Sequence, residues 1–68
     1  MAEQINIGMK VQEFRKKRGL SLRDLAAEVG LSPSMLSQIE SNSVNPSINT
    51  LKNIAEALHV PMFQFFKY

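Results

Sequence analysis

SLRDLAAEVGLSPSMLSQIES, residues 21–41, is the stretch on which the fold turns. It holds two short helical patterns with almost nothing between them. Ser21 is followed three residues later by Asp24, a capping box in which aspartate stands in for the commoner glutamate. Leu25, Ala26 and Val29 then form one inward stripe. Gly30 ends that helix at a position that needs positive φ. Leu31 returns to the core, and Ser32-Pro33 starts the next helix at once. Serine is a favoured N-cap, and proline at the first helical position has no N–H to leave unpaired. Leu36 and Ile39 are the buried pair of this second helix, with Met35 at its edge. A link of only Gly30, Leu31 and Ser32 cannot bring the second helix back antiparallel to the first. It sends it off at roughly 90–120°, as a helix-turn-helix. Ala26 falls where the two helices cross, and its small side chain permits close approach.

Outward from this stretch the apolar spacing stays helical, and no segment alternates like a strand. Ile7, Val11 and Phe14 recur at four and three, which predicts a first helix from about Ile5 to Arg18. Three basic residues and Gly19 stop it, with cations at the negative end of the dipole and then a residue free to turn left-handed. Leu20 is placed to cover that end. Ser41 to Pro46 is a polar loop. A fourth helix is predicted from about Ser47 to Leu58, with Ile48, Leu51, Ile54, Ala55 and Leu58 inside and Val60-Pro61 as its break. Met62, Phe63, Phe65 and Phe66 make a last short helix. There is no internal repeat, linker or low-complexity tract.

At 68 residues the chain holds one domain. A domain this small buries only about 60% of the surface its unfolded chain exposes, so an apolar core or a dimer contact must hold it. There is no cysteine and one histidine, His59, which excludes disulfides, thiolate sites and a plausible metal site. Hydrophobic residues at 44% and charged residues at 21% are those of a globular domain. No apolar run approaches the ~18 residues of a membrane span. Met1-Ala2-Glu3-Gln4 lacks a basic-then-apolar signal pattern, so a cytoplasmic location is expected.

The net charge of +2 is too small to argue from, but six of the eight basic residues fall between Lys10 and Arg23. Lys10, Arg15, Lys16, Lys17, Arg18 and Arg23 are opposed there only by Glu13 and Asp24. Such a run suits phosphate. It reads equally well as a solvated helix face.

Residues 13–42, EFRKKRGLSLRDLAAEVGLSPSMLSQIESN, resemble helices one to three of the phage repressor and Cro-like (C1-type) family, also called the xenobiotic-response-element family. PSINTLKNIAEALHVPMFQFF, residues 46–66, looks like its helices four and five. The resemblance covers nearly the whole chain. It implies an all-α, compact five-helix lambda-repressor-like domain over residues 1–68, with the helix-turn-helix at about 21–41. It also implies sequence-specific binding of double-stranded DNA by a prokaryotic or phage transcriptional regulator, a repressor above all. No cofactor or metal is expected.

In that family the helix matching Pro33–Glu40 is the recognition helix. Eight residues span roughly 12 Å, which matches a major groove about 12 Å wide. With Leu36 and Ile39 inward, Ser34, Ser37 and Gln38 must face outward, and Ser32 sits at the leading end. The resemblance brings Pro33, Ser34 and Gln38 near base edges. Gln38 is the sharpest reader, because an amide pairs bidentately with adenine N6 and N7. The serines read less sharply, and plain helix solubility explains them as well. Pro33 replaces a polar residue of some relatives and offers only apolar contact, as to a thymine methyl. Phosphates are expected at both flanks. On one side are the backbone N–H groups of Leu22 and Arg23 at a helix start. On the other is the donor-rich loop of Ser41, Asn42, Ser43 and Asn45. Relatives often carry glutamine where Leu22 stands, so that side-chain contact is missing, and Arg23 is its replacement. The loop lacks the lysines of some members, so a shallow salt dependence is expected. Lys10 and Lys17 are further, weaker choices.

Arg15 lies on the inward edge of the first helix, four residues after Val11. Glu40 sits at a helix C-terminus, unfavourable for the dipole and for nearby DNA. The resemblance implies that the two form a buried or half-buried ion pair holding the recognition helix; two unrelated surface charges are the plainer alternative. Phe63, Phe65, Phe66 and Tyr68 crowd the last six positions, more than one short helix can bury. One or two close the core. The rest suit a homodimer contact, or a further domain missing from the chain. Repressors of this fold act as dimers on palindromic operators with half-sites about 34 Å apart. Two other readings stay open: a protein-interaction module of the same fold, antitoxin-like, and the N-terminal DNA-binding fragment of a longer ligand-sensing regulator. An enzyme is not expected, because no nucleophile–base pair and no phosphate-cradling glycine loop is present.

Overall fold

Each α-helix of the computed structural model starts at a side chain that caps it. The structure describes residues 6–66. Helix α1 (Ile7–Lys17) begins at Asn6, whose Oδ1 accepts from the Met9 N–H at 2.9 Å. It ends as the basic run and Gly19 predict. Gly19, at φ 72°, donates to the Lys16 carbonyl at 3.0 Å, and Leu20 donates back to the Arg15 carbonyl at 3.1 Å. This is the paired closure of a Schellman end. Helix α2 (Leu22–Val29) carries the full capping box: Asp24 N–H to Ser21 Oγ at 3.0 Å and Ser21 N–H to Asp24 Oδ2 at 3.1 Å. Gly30, at φ 82°, closes it, and the Gly30 and Leu31 N–H groups both donate to the Ala26 carbonyl at 2.9 Å. Helix α3 (Pro33–Glu40) follows, with Ser32 Oγ accepting from Met35 N–H at 3.1 Å. Helix α4 (Ile48–Leu58) is capped by Ser47, and a 3₁₀ helix (Met62–Phe66) ends the described chain.

Several details differ from the sequence reading. The last element is 3₁₀ rather than a fifth α-helix. Pro61 has no N–H, and five residues are too few for an α-ladder; the Gln64 N–H bonds the Pro61 carbonyl at 3.0 Å, the tighter i to i+3 pattern. Helix α4 ends at Leu58, where the sequence reading has it, but the chain already reverses at His59, ahead of Val60-Pro61. His59 turns left-handed at φ 59°, and the Val60 N–H reaches the Ala55 carbonyl at 3.1 Å. Ile48, expected inside, is 66% exposed. A helical side chain leans toward its N-terminus, so that of the first residue leans past the end of α4 instead of into the core. Ile5 and Tyr68, assigned to the first helix and to the aromatic end, lie outside the described residues, as do Met1–Gln4.

The core is one cluster: Val11, Leu25, Ala26, Leu36, Ile39, Leu51, Ile54, Ala55, Leu58 and Phe65. Helix α3 packs on α1 and α2, while α4 packs on α2, on the 3₁₀ helix and on α1. Phe65 is fully buried and meets the Phe14 ring edge-on, centroids 5.8 Å apart and planes at 80°. The described residues contain no strand.

Candidate nucleic-acid interface

Burial of Leu36 and Ile39 sets the rotation of α3, and everything between them on the far side faces solvent. Pro33, Ser34, Ser37 and Gln38 are exposed along that edge. Ser32 is exposed too, but its hydroxyl is committed to capping α3. The Gln38 carbonyl collects the Ser43 N–H at 2.9 Å, the Val44 N–H at 3.3 Å and the Ser41 hydroxyl at 3.2 Å. Its backbone is therefore held by the loop that follows, while its side-chain amide has no partner among the described residues.

On one flank the capping box of α2 uses the N–H groups of Ser21 and Asp24 and leaves those of Leu22 and Arg23, which have no acceptor within the helix. Leu22 is half-buried and Arg23 exposed. Beside them is a cleft of about 250 Å³ lined by Gln12, Arg15, Leu22, Ser37, Glu40 and Ser41. Gln12 was not singled out by the sequence reading. Extending the inward edge of α1 one turn back from Arg15 finds it.

On the other flank the loop is not the uniform row of donors that its composition suggests. Ser41 and Ser43 share a hydroxyl–hydroxyl hydrogen bond at 3.0 Å, and Asn45 is exposed. Asn42 turns inward. At φ 65° it reverses the chain at the end of α3, which carries its side chain onto the start of α1. There its Nδ2 donates to Asn6 Oδ1 at 2.6 Å and its Oδ1 accepts from the Gly8 N–H at 3.2 Å. The Asn42 Oδ1 and one of its two Nδ2–H groups are thus engaged within the fold, while the residue stays exposed and keeps its second N–H.

The basic run also divides. Arg15 is buried: Nε donates to Glu40 Oε2 at 2.7 Å, Nη2 to Glu40 Oε1 at 3.0 Å, and Nη1 to the Leu20 carbonyl at 3.0 Å. The two charged side chains are 11% and 6% exposed. Arg18 donates to the Ala57 carbonyl on α4, and the Lys17 ammonium stands 5.6 Å over the Phe14 ring. Lys16 and Arg23 are exposed and Lys10 is half-buried. Arg15 and Arg18 thus tie the end of α1 to its neighbours, because α3 and α4 bring a carboxylate and a carbonyl within reach, while Lys17 stays on its own helix.

A family model described as helix-turn-helix matches residues 11–65. The chain is 42% identical over 55 residues to the HTH-type transcriptional regulator SinR of Bacillus subtilis, covering 79% of this chain and 50% of that protein. It is 38% identical over 56 residues to the immunity repressor protein of Bacillus phage phi105, covering 82% of this chain and 39% of that one. The chain therefore spans about half the length, or less, of these relatives. Among solved structures, that of SinR, a master regulator for biofilm formation, in complex with DNA superimposes with a TM-score of 0.84 at 37% identity. That match covers 90% of this chain and 98% of the other.

Proposed function

This chain belongs to the helix-turn-helix family, and from that premise we propose that it binds double-stranded DNA sequence-specifically and acts as a transcriptional regulator, a repressor in the first instance. One observation supports the reading above the others: α3 hides Leu36 and Ile39 and turns Ser34, Ser37 and Gln38 to solvent on one edge. In the proposed complex that edge enters the major groove. Gln38 pairs with an adenine, Ser34 and Ser37 contact neighbouring base edges, and Ser32 and Pro33 lie against the groove floor at the leading end. The Leu22 and Arg23 N–H groups hold a phosphate on one side, with the Arg23 guanidinium beside them. Ser41, Ser43 and Asn45 hold the opposite strand. The protein acts in the cytoplasm as a homodimer on a palindromic operator, with the exposed Phe63 and Phe66 of the 3₁₀ helix in the dimer contact.

Titration against mixed-sequence duplex at low and then raised salt tests the first step. With Lys10, Lys16 and Arg23 as the uncommitted cations of the run, log K should fall against log salt with a slope of roughly −3 or shallower per domain. No binding at low salt would instead favour a protein partner for the same face. Selection from a random duplex pool then reports the operator and whether it is palindromic.

A further inference from the structure

We propose that Gly8 and Asn42 form a clamp that positions the reading helix, so that Asn42 contributes to DNA specificity without touching DNA. The inference rests on the DNA-reading role given above to α3. It starts from how close the first turn of α1 lies to the last turn of α3. Gly8 is buried in that contact. A methyl carbon there would overlap the Ile39 carbonyl oxygen, lie 2.6 Å from the Glu40 carbonyl oxygen and 2.8 Å from Asn42 Oδ1. Two of these three neighbours are backbone atoms of α3 and its last residue, so any side chain at position 8 must push the helix itself away.

Asn42 locks the same contact. Its amide spans Asn6 and Gly8, the cap and the second residue of α1, at 2.6 Å and 3.2 Å. Asn6 Oδ1 is shared, because it also accepts from the Met9 N–H. The cap of one helix and the exit of the other are thus a single hydrogen-bonded unit. Seven residues along α1 from Gly8, on the same face, Arg15 grips Glu40. The two attachments lie two turns apart on α1 and both at the C-terminal end of α3, so they fix where that end sits along α1. Gln38 stands within one turn of both, and its carbonyl is bonded to the residues that flank Asn42 on the far side, Ser43 and Val44. Base reading requires side chains placed within about 0.5 Å and 10–20°. A clamp at this end of α3 controls that placement.

The test compares Asn42→Gly, which keeps a residue at ease at positive φ and removes only the amide, with Gly8→Ala, which keeps the amide and forces the helices apart. The DNA probes are the duplex enriched by the wild-type protein from a random pool and a mixed-sequence duplex of equal length, at a temperature where circular dichroism shows each protein folded. For Asn42→Gly the expected result is about tenfold weaker binding to the enriched duplex, under about twofold change on mixed duplex, and an unchanged salt slope. Equal losses on both duplexes with a shallower slope would make Asn42 a phosphate ligand and overturn the proposal; so would no loss on either. Residual dipolar couplings of the DNA-free proteins give a readout independent of DNA. The α3 axis turns relative to α1 in both variants if the clamp exists. An unchanged axis in Asn42→Gly overturns it, and a turned axis in a protein that enriches no duplex leaves the clamp standing while the DNA reading falls.

Discussion

Arg15 and Glu40 face each other edge to edge across α1 and α3, two parallel hydrogen bonds of 2.7 and 3.0 Å with a third from Arg15 to the Leu20 carbonyl. Every side-chain nitrogen and oxygen in this group has a partner, which is the condition under which a buried ion pair is tolerable. Removing one side strands the other. Arg15→Ala is expected to cost about 3–5 kcal/mol, a large share of the stability of a domain this size, read by urea unfolding. Replacing both with methionine should cost distinctly less, because no charge is then left unpaired. If Arg15→Ala melts with the wild-type protein, the pair contributes nothing to the fold.

Gln38 tests the proposed base reading apart from stability. Its side chain is exposed and its backbone fixed, so Gln38→Ala should leave the melting temperature near that of the wild type. Binding to the selected operator should weaken by about 1–3 kcal/mol, roughly 5- to 150-fold, with little change on mixed-sequence DNA. Parallel losses on both duplexes, measured by fluorescence anisotropy, would remove Gln38 as a base reader.

Gly30 has open space where a Cβ would go, yet sits at φ 82°. The cost of a side chain there is conformational alone. Gly30→Ala is expected to destabilise by about 1–2 kcal/mol, and Gly30→Asn by less, since asparagine visits the left-handed region more readily. Chemical denaturation of the two variants checks the order. Asparagine already occupies such a position at Asn42 in this protein.

The aromatic end divides between Phe65 and Phe66. Phe65→Ala empties a fully buried ring site against Phe14 and should cost about 3–5 kcal/mol, enough to leave much of the protein unfolded at 37 °C by calorimetry. Phe66, 39% exposed, is the place to test the proposed dimer contact. Phe66→Ser should weaken self-association in sedimentation equilibrium while the monomer keeps its helical spectrum. Unaltered association moves the dimer contact elsewhere.

Reading residues 21–41 as two helices with a three-residue link needed nothing beyond local chemistry. Ser21 with Asp24, Gly30, and Ser32 with Pro33 each act within four residues of themselves, so their caps and turn are written in adjacent positions. The polar edge of α3 follows equally directly, since burying Leu36 and Ile39 leaves Ser34, Ser37 and Gln38 only one way to face. Asn42, Arg18 and Ile48 were not legible in that way. Asn42 lies in a serine- and asparagine-rich loop that by composition is all donors, and only the approach of Asn6 and Gly8, more than thirty residues away in the chain, gives its amide partners within the fold. Arg18 belongs to a basic run until α4 brings the Ala57 carbonyl beside it. Ile48 keeps helical phase with Leu51 yet overhangs the core. Spacing along the chain specifies which face of a helix is apolar. Which polar atoms that face or its ends will meet depends on the crossing of distant elements, and in this protein that crossing decides which donors are bonded within the fold and which stay free.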